Sequence, residues 1–306
     1  MASAVTPFVL RVPATTANLG PGFGVLGLAL ERWLEFTVGP AEATTVTRTG
    51  QVGPSTLDTR HDPVVRGLRA AAERFTIKLP GEFAIEVATE VPRACGFGTN
   101  TAELVGGIQL ACRLAKDAPS LDERLTLLVA IGGDRAHGAA ALRGGLTATV
   151  PRRVLGSTHA WRLLSLPISP IWRFVAVAPH LALGTADVHR VVPAMVPNAV
   201  AQDTAGRLVG LIEALARGDA EQLTDCLCDE THVPYRLRLA PGMAEAVRAG
   251  EAAGAAGVTI SGHGPALLAL TTDESTAQRT AAAMREAFTA VGIETAVDII
   301  HKVASL

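Results

Sequence analysis

No stretch of about 18 or more uncharged apolar residues occurs in this chain, so no membrane-spanning helix is expected. The first residues lack a basic segment followed by a long apolar run and a small-residue cleavage site, the pattern of a secretory signal. A soluble cytoplasmic protein is the expectation, with no membrane partner. Neither sign of charge dominates: 27 Lys and Arg stand against 29 Asp and Glu. No basic stripe is present, which argues against a nucleic-acid partner. Cys95, Cys112, Cys226 and Cys228 follow no zinc-ligand spacing, and Cys226-Leu-Cys228 alone is too short a motif, so reduced and mostly buried thiols are expected. There is no long internal repeat. What the chain does have is apolar content, 48% over 306 residues, enough for two medium domains that share an interface.

Apolar periodicity predicts helices over Val64–Phe75, Thr99–Lys116, Leu121–Ala130, Asp134–Leu142, Val200–Ala216, Glu221–Cys228, Ala244–Ala253 and Ser275–Val291. Strands are expected at Phe8–Val12, Trp33–Val38, Phe83–Val91, Leu146–Val150, Trp172–Ala178, Val258–Ser261, Ala266–Thr271 and Thr295–Val303. Strands and helices in this mixed order imply an α+β protein with one sheet per domain. Residues 152–170 carry charge, Pro and Ser, which places the boundary there and divides the chain into 1–160 and 161–306.

The most informative stretch is Val91-Pro-Arg-Ala-Cys-Gly-Phe-Gly-Thr-Asn-Thr-Ala-Glu103. A strand runs into a Gly-x-Gly turn and then into a helix. Gly96 and Gly98 let the backbone curl, and their N–H groups join the helix N-terminus in facing one spot, an arrangement suited to phosphate. An ordinary tight turn reads the same way in isolation. Two further stretches bear on the choice: Pro13-Ala-Thr-Thr-Ala-Asn-Leu-Gly-Pro-Gly-Phe23 and Ser261-Gly-His-Gly-Pro265. The second is a turn fixed by two glycines and a proline, able to bring its backbone against the Gly96–Gly98 loop.

In this order the three segments resemble the three motifs of the GHMP small-molecule kinases, and among these the homoserine kinases. Asp229-Glu-Thr-His-Val-Pro-Tyr-Arg236 resembles a further homoserine kinase signature, and the likeness spans about residues 8 to 270. The resemblance implies a two-domain GHMP-kinase-like fold, with a ribosomal-protein-S5-like N-terminal domain and a ferredoxin-like C-terminal domain. It also implies ATP with Mg2+ as cofactors, a small-molecule carboxylate as substrate partner, and a homodimer, the state common among relatives. ATP phosphates would lie on Gly96, Phe97, Gly98, Thr99, Asn100 and Thr101, with Thr99 offering a hydroxyl to the metal or simply capping the helix. Arg236 would grip the substrate carboxylate, or else form an ion pair between domains.

Several positions depart from the resembled pattern. Asn18 matches a substrate-binding asparagine, but the acid that holds the substrate ammonium is replaced by Gly24, which argues against free homoserine as substrate. The second carboxylate-gripping arginine falls on His189, with Arg190 one residue later. His263 stands where Ala is usual, either contacting a phosphate or acid or resting at the rim. The family's metal glutamate has no counterpart in register, and Glu123 lies one turn away. Asp134 and His137, three apart on one helical face, form either a catalytic dyad with His137 as general base or a solvated surface pair. Two functions follow. One is an ATP-dependent kinase for the hydroxyl of a small carboxylate or amino-acid derivative, in specialised metabolism. The other is a repurposed relative without kinase activity, an acid/base enzyme of the lyase, isomerase or cyclase kind.

Overall fold

Strand β1, Phe8–Ala17, is laid antiparallel along almost the whole of the 15-residue β2, Leu26–Pro40. The register shifts between Pro13 and Ala14, where proline has no N–H to give the ladder. β1 takes one edge of β2. The other edge is shared: its C-terminal half pairs with β4, Phe83–Thr89, and its first residues pair with β5, Leu146–Pro151. Adding β3, Thr45–Gly50, and β6, Trp161–Leu166, gives a six-stranded sheet in the order β3-β4-β2-β5-β6 with β1 on β2. The computed structural model describes residues 5–50, 61–115, 117–153, 160–181, 183 and 185–306, apart from the side chains of residues 185, 186 and 189. The expected helix end at Lys116 lies outside the described residues.

Four helices cover one side of this sheet: α1, Pro63–Arg74; α2, Thr99–Arg113; α3, Leu121–Ala130; and α4, Arg135–Arg143. Their apolar faces, with Leu104, Val105, Ile108, Leu125 and Leu128, close on Val12, Leu34, Phe36 and Val87 of the strands. Local chemistry sets the helix starts. Asp62 accepts from the Val64 N–H ahead of Pro63, Ser120 and Glu123 form a capping box, and Asp134 accepts from the His137 N–H.

The second sheet is antiparallel, in the order β10-β7-β9-β8, with β7 at Arg173–Pro179, β8 at Gly257–Ile260, β9 at Leu267–Thr271 and β10 at Thr295–Ile300. Between β7 and β8 come α5, Thr185–Arg190; α6, Asn198–Arg217; α7, Ala220–Cys226; the single turn α8, Val233–Arg236; and α9, Met243–Ala252. α10, Glu274–Thr289, follows β9. Alternation sorts the side chains of β7 and β9. Val175, Val177, Leu267 and Ala269 face α9 and α10. Phe174, Ala176, Leu268 and Leu270 face Ala14, Leu19, Leu26 and Leu28, so a shared core joins the two sheets.

The last residues return to the first sheet and close a ring of three hydrogen bonds. Ala29 N–H donates to the Gly145 carbonyl, Gly145 N–H to Ala304, and Ala304 N–H to Ala29.

The α+β class holds, and most expected elements stand within a few residues. Two strands, β3 and β6, were not expected. Both are edge strands with few fully buried side chains, so little apolar alternation marks them. β6 pairs with β5, so the sheet boundary falls between Leu166 and Arg173, past the 160/161 division drawn from composition. β1 also runs on through Ala17, so Ala14–Ala17 of the first motif is strand, and only Asn18–Val25 is turn.

Candidate functional site

Gly96 and Gly98 have φ of 112° and 68°, in the left-handed region where side chains are strained. Gly98 occupies the N-cap position of α2 and no side chain caps that helix. The first N–H groups of α2 are therefore unclaimed by a cap. Thr99 is not the cap: it is the first helical residue, and its hydroxyl donates to the Pro92 carbonyl at 3.0 Å, tying down the loop entrance. A cavity of about 670 Å³ opens at this helix start. Its walls are the loop itself with Thr99, Asn100 and Thr101, then Asp134 and His137 at the start of α4, and His263 from the closing turn.

The closing turn is bolted to the loop. Ser261 Oγ donates to the Gly96 carbonyl at 2.8 Å, and Ala266 N–H donates to the Cys95 carbonyl at 2.7 Å. Gly262 N–H donates to the Ala17 carbonyl, which fastens the turn to β1 as well. His137 fills the gap between them. A Cβ at Gly98 would stand 2.6 Å from His137 Nδ1, and one at Gly262 would stand 2.4 Å from Nε2. Nδ1 lies 2.8 Å from Thr15 Oγ1. All three sequence motifs thus meet on one imidazole, which is 4% exposed, and the solvated-surface reading of the pair is excluded.

The expected dyad takes a different form. Asp134 Oδ1 accepts from the backbone N–H of His137 at 2.9 Å, as a helix cap, and the ring is oriented by Thr15. Burial holds the His137 ring below its ordinary pKa, against the pull of Asp134, so the ring is neutral at pH 7. Burial works to raise the Asp134 carboxyl; His137, the His137 N–H and His263 outweigh it, and the group sits below its usual range.

Arg236 lies behind Gly262. It is fully buried, donates from Nη1 to the Gly262 carbonyl at 3.3 Å and stacks on Phe23 with 4.9 Å from Cζ to the ring centroid. Its Nε and Nη2 have no hydrogen-bond partner among the described residues. Burial pulls its pKa down to about 10. A buried guanidinium with two idle donors is costly unless an anion completes it. It is not an interdomain ion pair, because no carboxylate lies in salt-bridge contact with it among the described residues.

The other expected residues fall less simply. Both ends of the Asn18 side chain are used within the chain: Nδ2 donates to the Gly262 carbonyl at 2.8 Å, and Oδ1 accepts from the Gly24 N–H at 2.7 Å. It staples the first motif to the closing turn. Phe97 turns its side chain away from the helix start, into the shared core. Arg190 is exposed and pairs with Asp187, while Val188 on the same short helix lines the cavity; residues two apart on a helix point to opposite sides. The His189 side chain lies outside the described residues. Glu123 is exposed and its carboxylate accepts from Ser120 N–H and Oγ, so it serves the capping box and does not line the cavity. Cys95 is inert, its thiol pushed up to about 11 by burial.

Three residues were not expected. Thr15 belongs to the first motif, and its hydroxyl neighbours were the available signal. Arg93 lines the cavity and is held by the buried Glu103, which also bonds Arg48 on β3, itself paired with Asp62. Arg135 donates from Nε to the Gly24 carbonyl and lies over the Trp161 ring, 4.3 Å from its centroid. Adjacent to Asp134 in sequence, it reads as an ordinary surface arginine until the fold places it.

Residues 211–290 match the family model for the GHMP kinases C terminal domain. The homoserine kinase of Microchaete diplosiphon is 34% identical over 293 residues, covering 95% of this chain and 93% of that one. The homoserine kinase of Gloeobacter violaceus is 36% identical over 267 residues, covering 86% and 87%. In three dimensions the chain is similar to homoserine kinase from Cytophaga hutchinsonii, with a TM-score of 0.84, 24% identity and 99% of each chain covered. It also shares its fold with a Streptococcus pneumoniae phosphomevalonate kinase in complex with phosphomevalonate and AMPPNP, at a TM-score of 0.69, 12% identity and coverage of 98% and 100%.

Proposed function

The chain belongs to the homoserine kinase family of the GHMP kinases, and on that premise we propose that it transfers the γ-phosphoryl group of ATP to the hydroxyl of a small carboxylate other than free homoserine. One observation carries the reading: the His137 ring, wedged between Gly98 and Gly262, lies between a helix start suited to phosphate and a buried arginine with two idle donors. Phosphoryl transfer asks mainly for positioning and neutralisation of charge.

The N–H groups at the start of α2 hold the phosphate oxygens, with Asn100 and Thr101 beside them. Arg236 takes the substrate carboxylate on Nε and Nη2, which fixes the distance of the hydroxyl from the loop. The substrate oxygen forms a bond to the γ-phosphorus as the bond to the bridging oxygen breaks, and ADP leaves. The hydroxyl proton passes to His137 at Nε2, in the tautomer whose Nδ1–H donates to Thr15. The depressed pKa of the ring keeps it neutral and ready to accept.

Asp134 is the one carboxylate among the described residues lining the cavity, and no cluster of three metal-binding side chains occurs among them. Such a sparse set suits magnesium, which takes one or two carboxylates together with phosphate oxygens and water. Bound there by Asp134, magnesium would neutralise phosphate charge. Among the described residues no helix is long and apolar enough to cross a membrane.

The test is calorimetric titration with a non-hydrolysable ATP analogue, with and without magnesium. Magnesium-dependent micromolar binding is expected. Asn100→Asp, at an exposed position on the cavity rim, should weaken it at least tenfold. Absence of binding at millimolar nucleotide overturns the proposal and leaves the ATP-independent acid/base reading.

A further inference from the structure

Two arginines bracket the same two residues of the first motif. Arg236 lies on the ring of Phe23. Arg135 donates to the carbonyl of Gly24, the next residue. The Gly24 backbone, at φ 65°, turns its vacant Cβ direction toward Arg135, and a Cβ there would stand 3.2 Å from Nη2. The guanidinium thus occupies the space a side chain at position 24 would take. Trp161 holds it flat from the other side. With Nε committed to Gly24, the terminal nitrogens Nη1 and Nη2 have no hydrogen-bond partner among the described residues. They form the fork that best matches a carboxylate.

Asp134 acts on both arginines, and the buried Asp229 acts on Arg236 as well. At Gly24 itself the group that a side chain would meet is the Arg135 guanidinium. An ammonium group brought to Gly24 meets a cation, whereas an anionic oxygen group meets a ready donor pair.

We propose, resting on the kinase reading above, that the substrate is a short hydroxy-dicarboxylic acid without an amine, one carboxylate on Arg236 and the second on Arg135 beside Gly24. The hydroxyl then points to the phosphate loop. Arg135 is the residue that selects the class.

The experiment measures affinity and turnover for malate, 2-hydroxyglutarate, 3-hydroxybutyrate and homoserine, each with nucleotide bound. Wild-type protein is expected to prefer the diacids at least 30-fold over 3-hydroxybutyrate and 100-fold over homoserine. Arg135→Gln should remove the diacid advantage, leaving 3-hydroxybutyrate within threefold and nucleotide affinity unchanged. Arg135→Lys, which keeps the charge and loses the fork, should fall between. Gly24→Asp combined with Arg135→Gln should invert the preference toward homoserine. Equal affinity for monoacid and diacid in the wild type, or equal losses for both in Arg135→Gln, overturns the proposal while intact nucleotide binding leaves the kinase reading standing. Loss of nucleotide binding in the wild type would instead remove the premise.

Discussion

Replacing Gly98 by Ala tests whether the three motifs really close on His137. The new Cβ would stand 2.3 Å from Thr15 Oγ1 and 2.6 Å from His137 Nδ1, splitting a hydrogen bond of 2.8 Å. Holding an L-residue at φ 68° costs about 1–2 kcal/mol. Parting a buried hydroxyl and imidazole adds about 1–3 kcal/mol. The single variant should therefore lose about 2–5 kcal/mol. His137→Ala alone leaves a cavity and an orphaned Thr15 hydroxyl, worth about 2–4 kcal/mol. In the double variant the backbone strain persists, but the ring is gone and Thr15 is free to turn. The combined loss should fall short of the sum by about 1–3 kcal/mol. Urea unfolding with matched m-values reads the difference. Additivity within about 0.5 kcal/mol would show that Gly98 and His137 do not press on each other, and the geometry of the site would fall with it.

Four other outcomes are expected. Burial depresses the pKa of both His137 and His232, so the stability they confer is full above their ordinary 6.5 and is lost as pH falls below it. Urea melts between about pH 5 and 6.5 should slope by at most about 1.4 kcal/mol per pH unit for each ring, and His232→Gln should remove about half of that; an unchanged slope refutes it. Arg236→Met should keep or raise stability by about 1–4 kcal/mol while carboxylate affinity falls about 100-fold, since a buried guanidinium with two unpaired donors is costly to the fold and needed by the ligand. Arg48→Ala should cost about 3–5 kcal/mol by thermal unfolding, because Asp62 and Glu103 are then left buried with one cation fewer. Glu123→Ala should cost about 0.3–1.5 kcal/mol through the capping box and leave the magnesium dependence of nucleotide binding unchanged.

Sequence showed most where the signal was local. Leu121–Ala130 was read as a helix and stands as α3, and Gly96 and Gly98 mark a turn before a helix. The closing turn at Ser261–Pro265 was legible from its glycines and lies where expected, against the loop. Long-range pairings were not legible. The reach of Asn18 across to Gly262, and of Arg135 to Gly24, depends on how β1, α4 and the turn after β8 are brought together, which no spacing records. Asp134 and His137 were read as a pair from helical spacing. Helix geometry did join them, but through the backbone N–H, because an aspartate just before a helix is more readily a cap than a partner for a ring three residues on.

The ring of hydrogen bonds through Ala29, Gly145 and Ala304 has a bearing on how the protein is made. Ribosomes deliver Ala29 and Gly145 well before Ala304. Until then Gly145 has an N–H, and Ala29 a carbonyl, that the emerging chain cannot satisfy. The first sheet therefore stays unfinished at its β2–β5 seam through most of translation, exposed to water or to a chaperone. Completion of that seam is deferred until residues beyond β10 emerge, so the two halves reach their final state together.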